Sequence, residues 1–211
     1  MNGFDPACRR CPRLAGFLEE LRARHPGYHC APVAPFGAPR PALLVVGLAP
    51  GLHGANRTGR PFTGDHAGIL LYETLHRHGF ASAPQSLARD DGLVLRDCAI
   101  TNAVKCLPPQ NKPKAAEINR CNPFLRQELD ALQAGAVVLA LGTIAHKAVI
   151  AAFGLRQAAH GFGHGAEHAL PDRRVLLDSY HCSRYNTQTR RLTPAMFDRI
   201  FARARTLIDA Q

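Results

Sequence analysis

No run of apolar residues in this 211-residue chain approaches the ~18 that a membrane-spanning helix requires. Its opening residues, Met1-Asn-Gly-Phe-Asp-Pro-Ala-Cys8, lack the basic-then-apolar order of a secretory signal, so a soluble, cytoplasmic protein is expected. Acidic residues are scarce: 16 Asp and Glu stand against 26 Lys and Arg, a formal net charge of +10. That excess suits a polyanionic partner such as nucleic acid or an acidic membrane surface. Internal repeats and low-complexity tails are missing, and a 46% hydrophobic content excludes disorder. A chain of this length buries roughly 70% of the surface that its unfolded form exposes. A single domain over residues 1–211 therefore needs no disulfides to fold.

Several familiar sites are excluded in the same way. The Gly-rich stretch Gly47–Gly51 lacks the Lys-Ser/Thr of a P-loop and the spacing of a dinucleotide fingerprint. Gly161-Phe-Gly-His-Gly-Ala166 satisfies GxGxxA by letter, yet it precedes a predicted strand instead of following one, and reads as a loop. His160, His164 and His168 repeat there at helical spacing, but the interleaved glycines argue against a helix. Solvent exposure is the favoured reading over a metal site. The H-x-E and P-C-x-x-C elements of a zinc deaminase are both absent.

What is present is an alternation of strand-like and helix-like segments. Four short apolar runs, Ala42–Gly47, Cys98–Val104, Ala136–Gly142 and Val175–Tyr180, are each bounded by Gly, Pro or polar residues, as buried strands are. Between and around them lie helix-like stretches at Pro12–Arg24, Gly68–His78, Ala115–Leu132, Thr143–Phe153 and Thr193–Asp209. Asp65 is placed to cap the second of these, and Thr193-Pro194 to open the last. Residues 26–41, rich in Pro and Gly, read as a connection. The alternation predicts an α/β fold with parallel strands covered on both faces. Ligands of such sheets bind at the carboxyl ends of the strands. This directs attention to the loop Gly47–Asp65, to Asn102-Ala-Val-Lys-Cys106, and to His181-Cys-Ser-Arg-Tyr-Asn186.

The seven cysteines form an odd set, which in a reducing compartment points to ligation, catalysis or burial. Cys8-x-x-Cys11 with Cys106 and Cys121 offers four thiolates, enough for either zinc or a [4Fe–4S] cluster. Spacing alone does not choose, although the lack of a second CxxC tilts the balance toward iron–sulfur. Cys98, inside an apolar strand, belongs to the core; Cys30 and Cys182 are left over. His181 just past a strand end is a catalytic candidate, though a lone His is more often structural. Phe62 and Tyr185, aromatics among Gly and Arg, are candidates to stack on bases, the alternative being that they fold back onto the core.

Together, GLAPG…GANRTGRPFTGD (Gly47–Asp65), ITNAVKCLPP (Ile100–Pro109) and SYHCSRYNTQTRRLTP (Ser179–Pro194) resemble the uracil-DNA glycosylase superfamily, specifically its family 5, type B enzymes. The resemblance covers most of the chain in order. It implies a three-layer α/β/α sandwich around a four-stranded parallel sheet, with a cluster-binding segment over about residues 1–40. It also implies hydrolysis of the N-glycosidic bond of uracil, and of other deaminated bases, flipped out of DNA. Cys8, Cys11, Cys106 and Cys121 match the ligands of a structural [4Fe–4S] cluster. Phe62 matches the aromatic that stacks on the flipped base, and Asn102 the residue that hydrogen-bonds its polar edge. His181 matches the histidine that stabilises charge on the departing base. Leu48 stands where the related family 4 carries an acidic residue, which leaves Asp65 as the candidate carboxylate. Cys182 occupies a position where sister families often carry proline. Gly47, Leu48 and Ala49 complete the expected substrate site. Arg57, Arg60, Lys105, Lys112, Arg184, Tyr185 and Arg190 are the expected DNA contacts, on a monomer acting on double-stranded DNA. Two competing readings are a catalytically silent damage-recognition protein of the same fold and an enzyme that traps the sugar covalently. The intact Asp65, Asn102 and His181 oppose the first. The absence of a basic, histidine-bearing insert between Gly59 and Gly68 opposes the second, with His66 left as the nearest candidate nucleophile.

Overall fold

The structure is a computed structural model that describes residues 4–210; residues 1–3 and 211 of the expected domain lie outside it. In chain order the elements are α1 (Pro12–Arg24), β1 (Phe36–Gly37), β2 (Leu43–Gly47), α2 (Ala55–Thr58), α3 (His66–Arg77), β3 (Cys98–Asn102), α4 (Ala115–Asp130), β4 (Val137–Leu141), α5 (Thr143–Ala152), β5 (Glu167–Ala169), β6 (Val175–Ser179), α6 (Arg184–Gln188) and α7 (Pro194–Asp209). Among the described residues no helix is long and apolar enough to cross a membrane.

The four apolar runs are the parallel strands β3, β2, β4 and β6, side by side in that order. A strand sends alternate side chains to opposite faces, and both faces here are covered. Leu43, Val45, Ile100, Val137, Leu139 and Leu177 enter one apolar layer with Leu71, Leu75, Phe197 and Phe201 of α3 and α7. Leu44, Val46, Ala99, Val138, Ala140 and Leu176 enter the other with Leu125, Leu129, Val149 and Ile150 of α4 and α5. That double burial is why the runs are continuously apolar rather than alternating. At about 25 cal/mol per Å² of apolar surface, these two layers supply the main driving force for the fold.

The strand count needs correction: the sheet has six strands, not four. β1 and β5 pair antiparallel at its two edges. They hold two and three residues, and those of β5 are partly exposed, so neither carries an apolar run. β1 lies in what reads as a connection and β5 in the Gly/His-rich stretch. The short helices α2 and α6 are likewise additions at the strand ends.

Candidate active site

Parallel strands bring their carboxyl ends to one edge of the sheet. Gly47 is in register with Asn102, and the amides of Ala103 and Val104 continue the pairing to the carbonyls of Gly47 and Leu48 at 2.9 and 3.0 Å. Leu48, Ala49, Phe62, Asp65, Asn102 and His181 line one cleft there with Gly51, Ala55, His66, Ala67, Asn111, Ser183 and Arg184. Its free volume of ≈ 400 Å³ is that of a small-ligand site.

Gly47 shapes the cleft from behind. A Cβ there would lie 2.5 Å from Asn102 Oδ1 and 2.6 Å from the Phe62 ring, so only glycine lets the amide and the ring occupy their places. Phe62 adopts φ +54°, a left-handed conformation that costs a bulky residue of order 1–3 kcal/mol and persists only where its surroundings impose it. The surroundings are visible. Tyr72 Oη donates to the Pro61 carbonyl at 2.8 Å, Thr63 and Ser86 share a 2.6 Å hydrogen bond, and the Phe62 carbonyl packs where only Gly68 leaves room.

Asn102 is 3% exposed, and its Oδ1 has no hydrogen-bond partner among the described residues. A buried acceptor left unsatisfied costs about 1–3 kcal/mol, which a ligand donor removes. Its carbonyl accepts from Lys105 Nζ at 2.9 Å, anchoring the residue from below.

Asp65 Oδ1 accepts from the Gly68 amide at 2.9 Å and caps α3, as its position before the apolar pattern predicts. Burial raises its carboxyl above the ordinary range, against the lowering influence of the Gly68 and Ala67 amides and of His66. The carboxylate packs against Gly54, where a Cβ would come within 2.4 Å of Oδ2. His181 faces Phe62 with ring centroids 5.9 Å apart and planes 28° from parallel. Burial lowers its imidazole to about 4, so the ring is neutral near pH 7. Asn186 Nδ2 holds the His181 carbonyl at 2.8 Å, while the Ser183 hydroxyl caps α6.

The expected DNA contacts divide. Arg57, Lys112, Arg184, Tyr185 and Arg190 are exposed; Arg184 lines the cleft, and Arg57 lines an adjoining pocket that shares Asp65, His66 and Arg184 with it. Arg60 and Lys105 are corrections: they are 5% and 2% exposed and cannot reach a phosphate. Arg60 pairs with Asp91 at 2.6 Å, donates to Ser86 and the Arg89 carbonyl, and lies over the Phe36 ring. Lys105 pairs with Glu128 at 2.8 Å and donates to Thr101 Oγ1. Both ion pairs involve partners remote in sequence, which a reading of local composition does not reveal.

His160, His164 and His168 also need correction, being half-buried and packed rather than exposed. Cys30, Cys98 and Cys182 are fully buried. Cys8, Cys11, Cys106 and Cys121 line a single cavity between α1, α4 and the chain after β3, with Lys105 N donating to Cys121 Sγ at 3.3 Å. Burial, then the charge of neighbouring cysteines, pushes the Cys106 thiol up to about 12. Thiolates in such a place need a cation beside them.

The uracil-DNA glycosylase superfamily model matches residues 34–205, which include every cleft residue above. The chain belongs to that superfamily. It is 49% identical to the type-5 uracil-DNA glycosylase of Thermus thermophilus over 206 residues, 95% of this chain and 94% of that one. It is 42% identical to the type-5 enzyme of Pyrobaculum aerophilum over 201 residues, 93% and 87% of the two chains. A type-4 uracil-DNA glycosylase of the same organism is 37% identical over 115 residues, about half of each chain. The solved structure of Pedobacter heparinus SMUG2 superposes with a TM-score of 0.52 at 15% identity, covering 82% of this chain and 77% of that one, which supports the fold alone. The cleft residues to which the sequence assigned no role are Gly51, Ala55, Ala67, Asn111 and Ser183. Of these Asn111 carried a signal, an amide residue suited to the positive φ of +56° that it adopts.

Proposed function

We propose that this chain is a DNA-repair glycosylase that hydrolyses the N-glycosidic bond of uracil in DNA, and that its cleft also admits other deaminated bases. The observation that carries the reading is the buried, partnerless Asn102 Oδ1 beside Phe62, at the strand-end edge that also holds Asp65 and His181. A uracil resting on the Phe62 ring presents its N3–H to that oxygen. Two contacts of about 3.5 Å would be needed to hold a base between parallel rings. The 5.9 Å between Phe62 and His181 is too little, so His181 meets the base at its edge.

Cleavage leaves a cationic sugar and an anionic base. Asp65 supports the first, or accepts a proton from the water that attacks C1′, and neutral His181 donates an N–H to a carbonyl oxygen of the second. One such donor is worth about 2.7–4 kcal/mol in the transition state. Exposed Arg57, Lys112, Arg184 and Arg190 supply phosphate contacts to double-stranded DNA, and Tyr185, 70% exposed, supplies an aromatic face for an unstacked base. The protein is read as a monomer acting in the cytoplasm, where DNA is present.

Cys8, Cys11, Cys106 and Cys121 are read as the ligands of a structural [4Fe–4S] cluster, which supplies a covalent staple between the N-terminal segment and the chain after β3. Support comes from their convergence on one cavity between α1, α4 and the chain after β3, a four-thiol set of the kind that ligates such a cluster. Anaerobically purified protein should contain iron and acid-labile sulfide; stoichiometric zinc with neither would reverse the choice.

The decisive experiment is single-turnover release of uracil from a duplex oligonucleotide. Asn caps helices as well as Asp does, so Asp65→Asn keeps α3 and deletes only the charge. Cleavage should fall at least ~100-fold, the scale of a lost transition-state charge contact, while binding to an abasic-site analogue stays near wild type. Full activity in Asp65→Asn would remove Asp65 from the mechanism.

A further inference from the structure

A second cluster of ligating side chains lies on the α5 face of β6, away from the cysteines and the cleft. Asp178 is completely buried in β6 and His146 is 1% exposed in α5. His146 Nδ1 lies 2.8 Å from Asp178 Oδ1, and His168 Nε2, from β5, lies 3.2 Å from Asp178 Oδ2. All three ligand atoms fall within 4.8 Å of one another. His146 Nε2 meets the His160 carbonyl at 2.8 Å. A carbonyl only accepts, so Nε2 carries the hydrogen. In a neutral ring Nδ1 is then bare, and it confronts a carboxylate oxygen at contact distance. Two acceptors so placed need positive charge between or beside them.

We propose that His146 Nδ1, His168 Nε2 and the Asp178 carboxylate form a divalent-cation site of the zinc class. Two imidazoles and a carboxylate are a donor set suited to zinc. Metal–ligand distances near 2.0–2.1 Å in a tetrahedron put ligand atoms ~3.3 Å apart; the two carboxylate contacts, 2.8 and 3.2 Å, are already near that spacing, and all three ligand atoms lie within 4.8 Å of one another. The outer shell is already formed. His146 Nε2–H is held by the His160 carbonyl, and the Gly163 amide donates to Asp178 Oδ2 at 3.3 Å, the arrangement that orients ligands before metal arrives. A cation here joins α5, β5 and β6. It fastens the 160–168 segment, whose His164 stacks on Tyr180 and accepts from the Tyr180 amide at 3.2 Å, against the strand end that leads to His181. The competing occupant is a proton shared by His146 and Asp178.

The test adds Co²⁺ to the full-length protein as isolated, before and after His168→Gln. Expected is one cobalt per chain with d–d absorption and no thiolate charge-transfer band, a rise in Tm on addition, and loss of both in His168→Gln with iron content unchanged. Absence of cobalt binding, a spectrum showing only thiolate charge transfer, or equal binding by His168→Gln would assign the cluster to the proton. Because His168 is the most exposed of the three ligands, its replacement is the one least able to disturb the fold; should it do so, the wild-type spectrum still decides.

Discussion

Gly47 and His181 carry consequences that their neighbours do not. Replacing Gly47 with Ala puts a methyl group 2.5 Å from Asn102 Oδ1 and 2.6 Å from the Phe62 ring. One or both must move, and a misplacement near 1 Å in a catalytic site costs on the order of 10²-fold in rate. Gly47→Ala is therefore expected to lose about that factor in single-turnover uracil release while its far-ultraviolet circular dichroism stays unchanged. His181 bears on pH. Burial takes its folded-state pKa from the ordinary 6.5 to about 4, so the unfolded chain binds a proton at this residue over that window and the folded chain does not. Its effect on stability is then absent above pH 6.5, and stability is lost progressively as pH falls toward 4. Catalysis follows a different rule, because the neutral donor persists across the window. The rate profile between roughly pH 5.5 and 8 should keep its shape in His181→Gln and drop only in level. A wild-type inflection near 6.5 that disappears in the variant would show that the protonated ring is the active form.

At the scale of elements, the segment from Arg60 to Asp65 presents Phe62 because it is tied to residues 86–91. Arg60 is bonded to Asp91, Ser86 and the Arg89 carbonyl. Burial alone would raise the Asp91 carboxyl, but the Arg60 hydrogen bond and the amides of Leu93, Leu87 and Ala88 outweigh it and hold the group near 2. Arg60 is buried but Asp91 reaches solvent, so the cost of breaking the pair is that of lost charged hydrogen bonds, about 1.5–3 kcal/mol, not that of stranding a buried charge. Arg60→Met should accordingly lower the denaturation free energy by about 2 kcal/mol and slow cleavage through a loosened Phe62, without changing the salt dependence of DNA binding. Arg57 and Arg60 illustrate what the sequence shows and what it hides. Both sit in one Gly-rich loop and look alike; their fates are set by Asp91, 31 residues from Arg60, and no local pattern shows that pairing. The parallel strands were legible because burial on both faces writes a continuous apolar run. β1 and β5 were not, since two or three edge residues write none. Asp65 was legible as the cap of α3 from its place before the apolar pattern. Within the 160–168 segment His168 misled because the residue that holds it, Asp178, reads as one polar interruption in an apolar strand.

Across the whole molecule the +10 charge is spent in two ways, and only one of them reaches DNA. Lys105 shows the other. Its ammonium holds Glu128, Thr101 and the Asn102 carbonyl, while its own amide donates to Cys121, so one residue connects the cysteine cavity to Asn102 in the cleft. A disturbance of the cysteine cavity should thus be felt at Asn102 through Lys105, although the cleft residues themselves are untouched. Lys105→Met removes the cation from a buried pair, and a fall of about 3–5 kcal/mol in stability is expected. The slope of log K against log salt should remain that of wild type, because no phosphate contact is lost. Arg184→Ala should do the reverse. It lies exposed at the cleft mouth, so stability changes little, and the slope should shrink by about 0.9, the contribution of one neutralised phosphate. Equilibrium binding to an abasic-site duplex across a salt series, paired with urea denaturation, separates the two behaviours. A reduced slope in Lys105→Met with undiminished stability would return that lysine to the DNA-binding surface, and an unchanged slope in Arg184→Ala would take Arg184 off it.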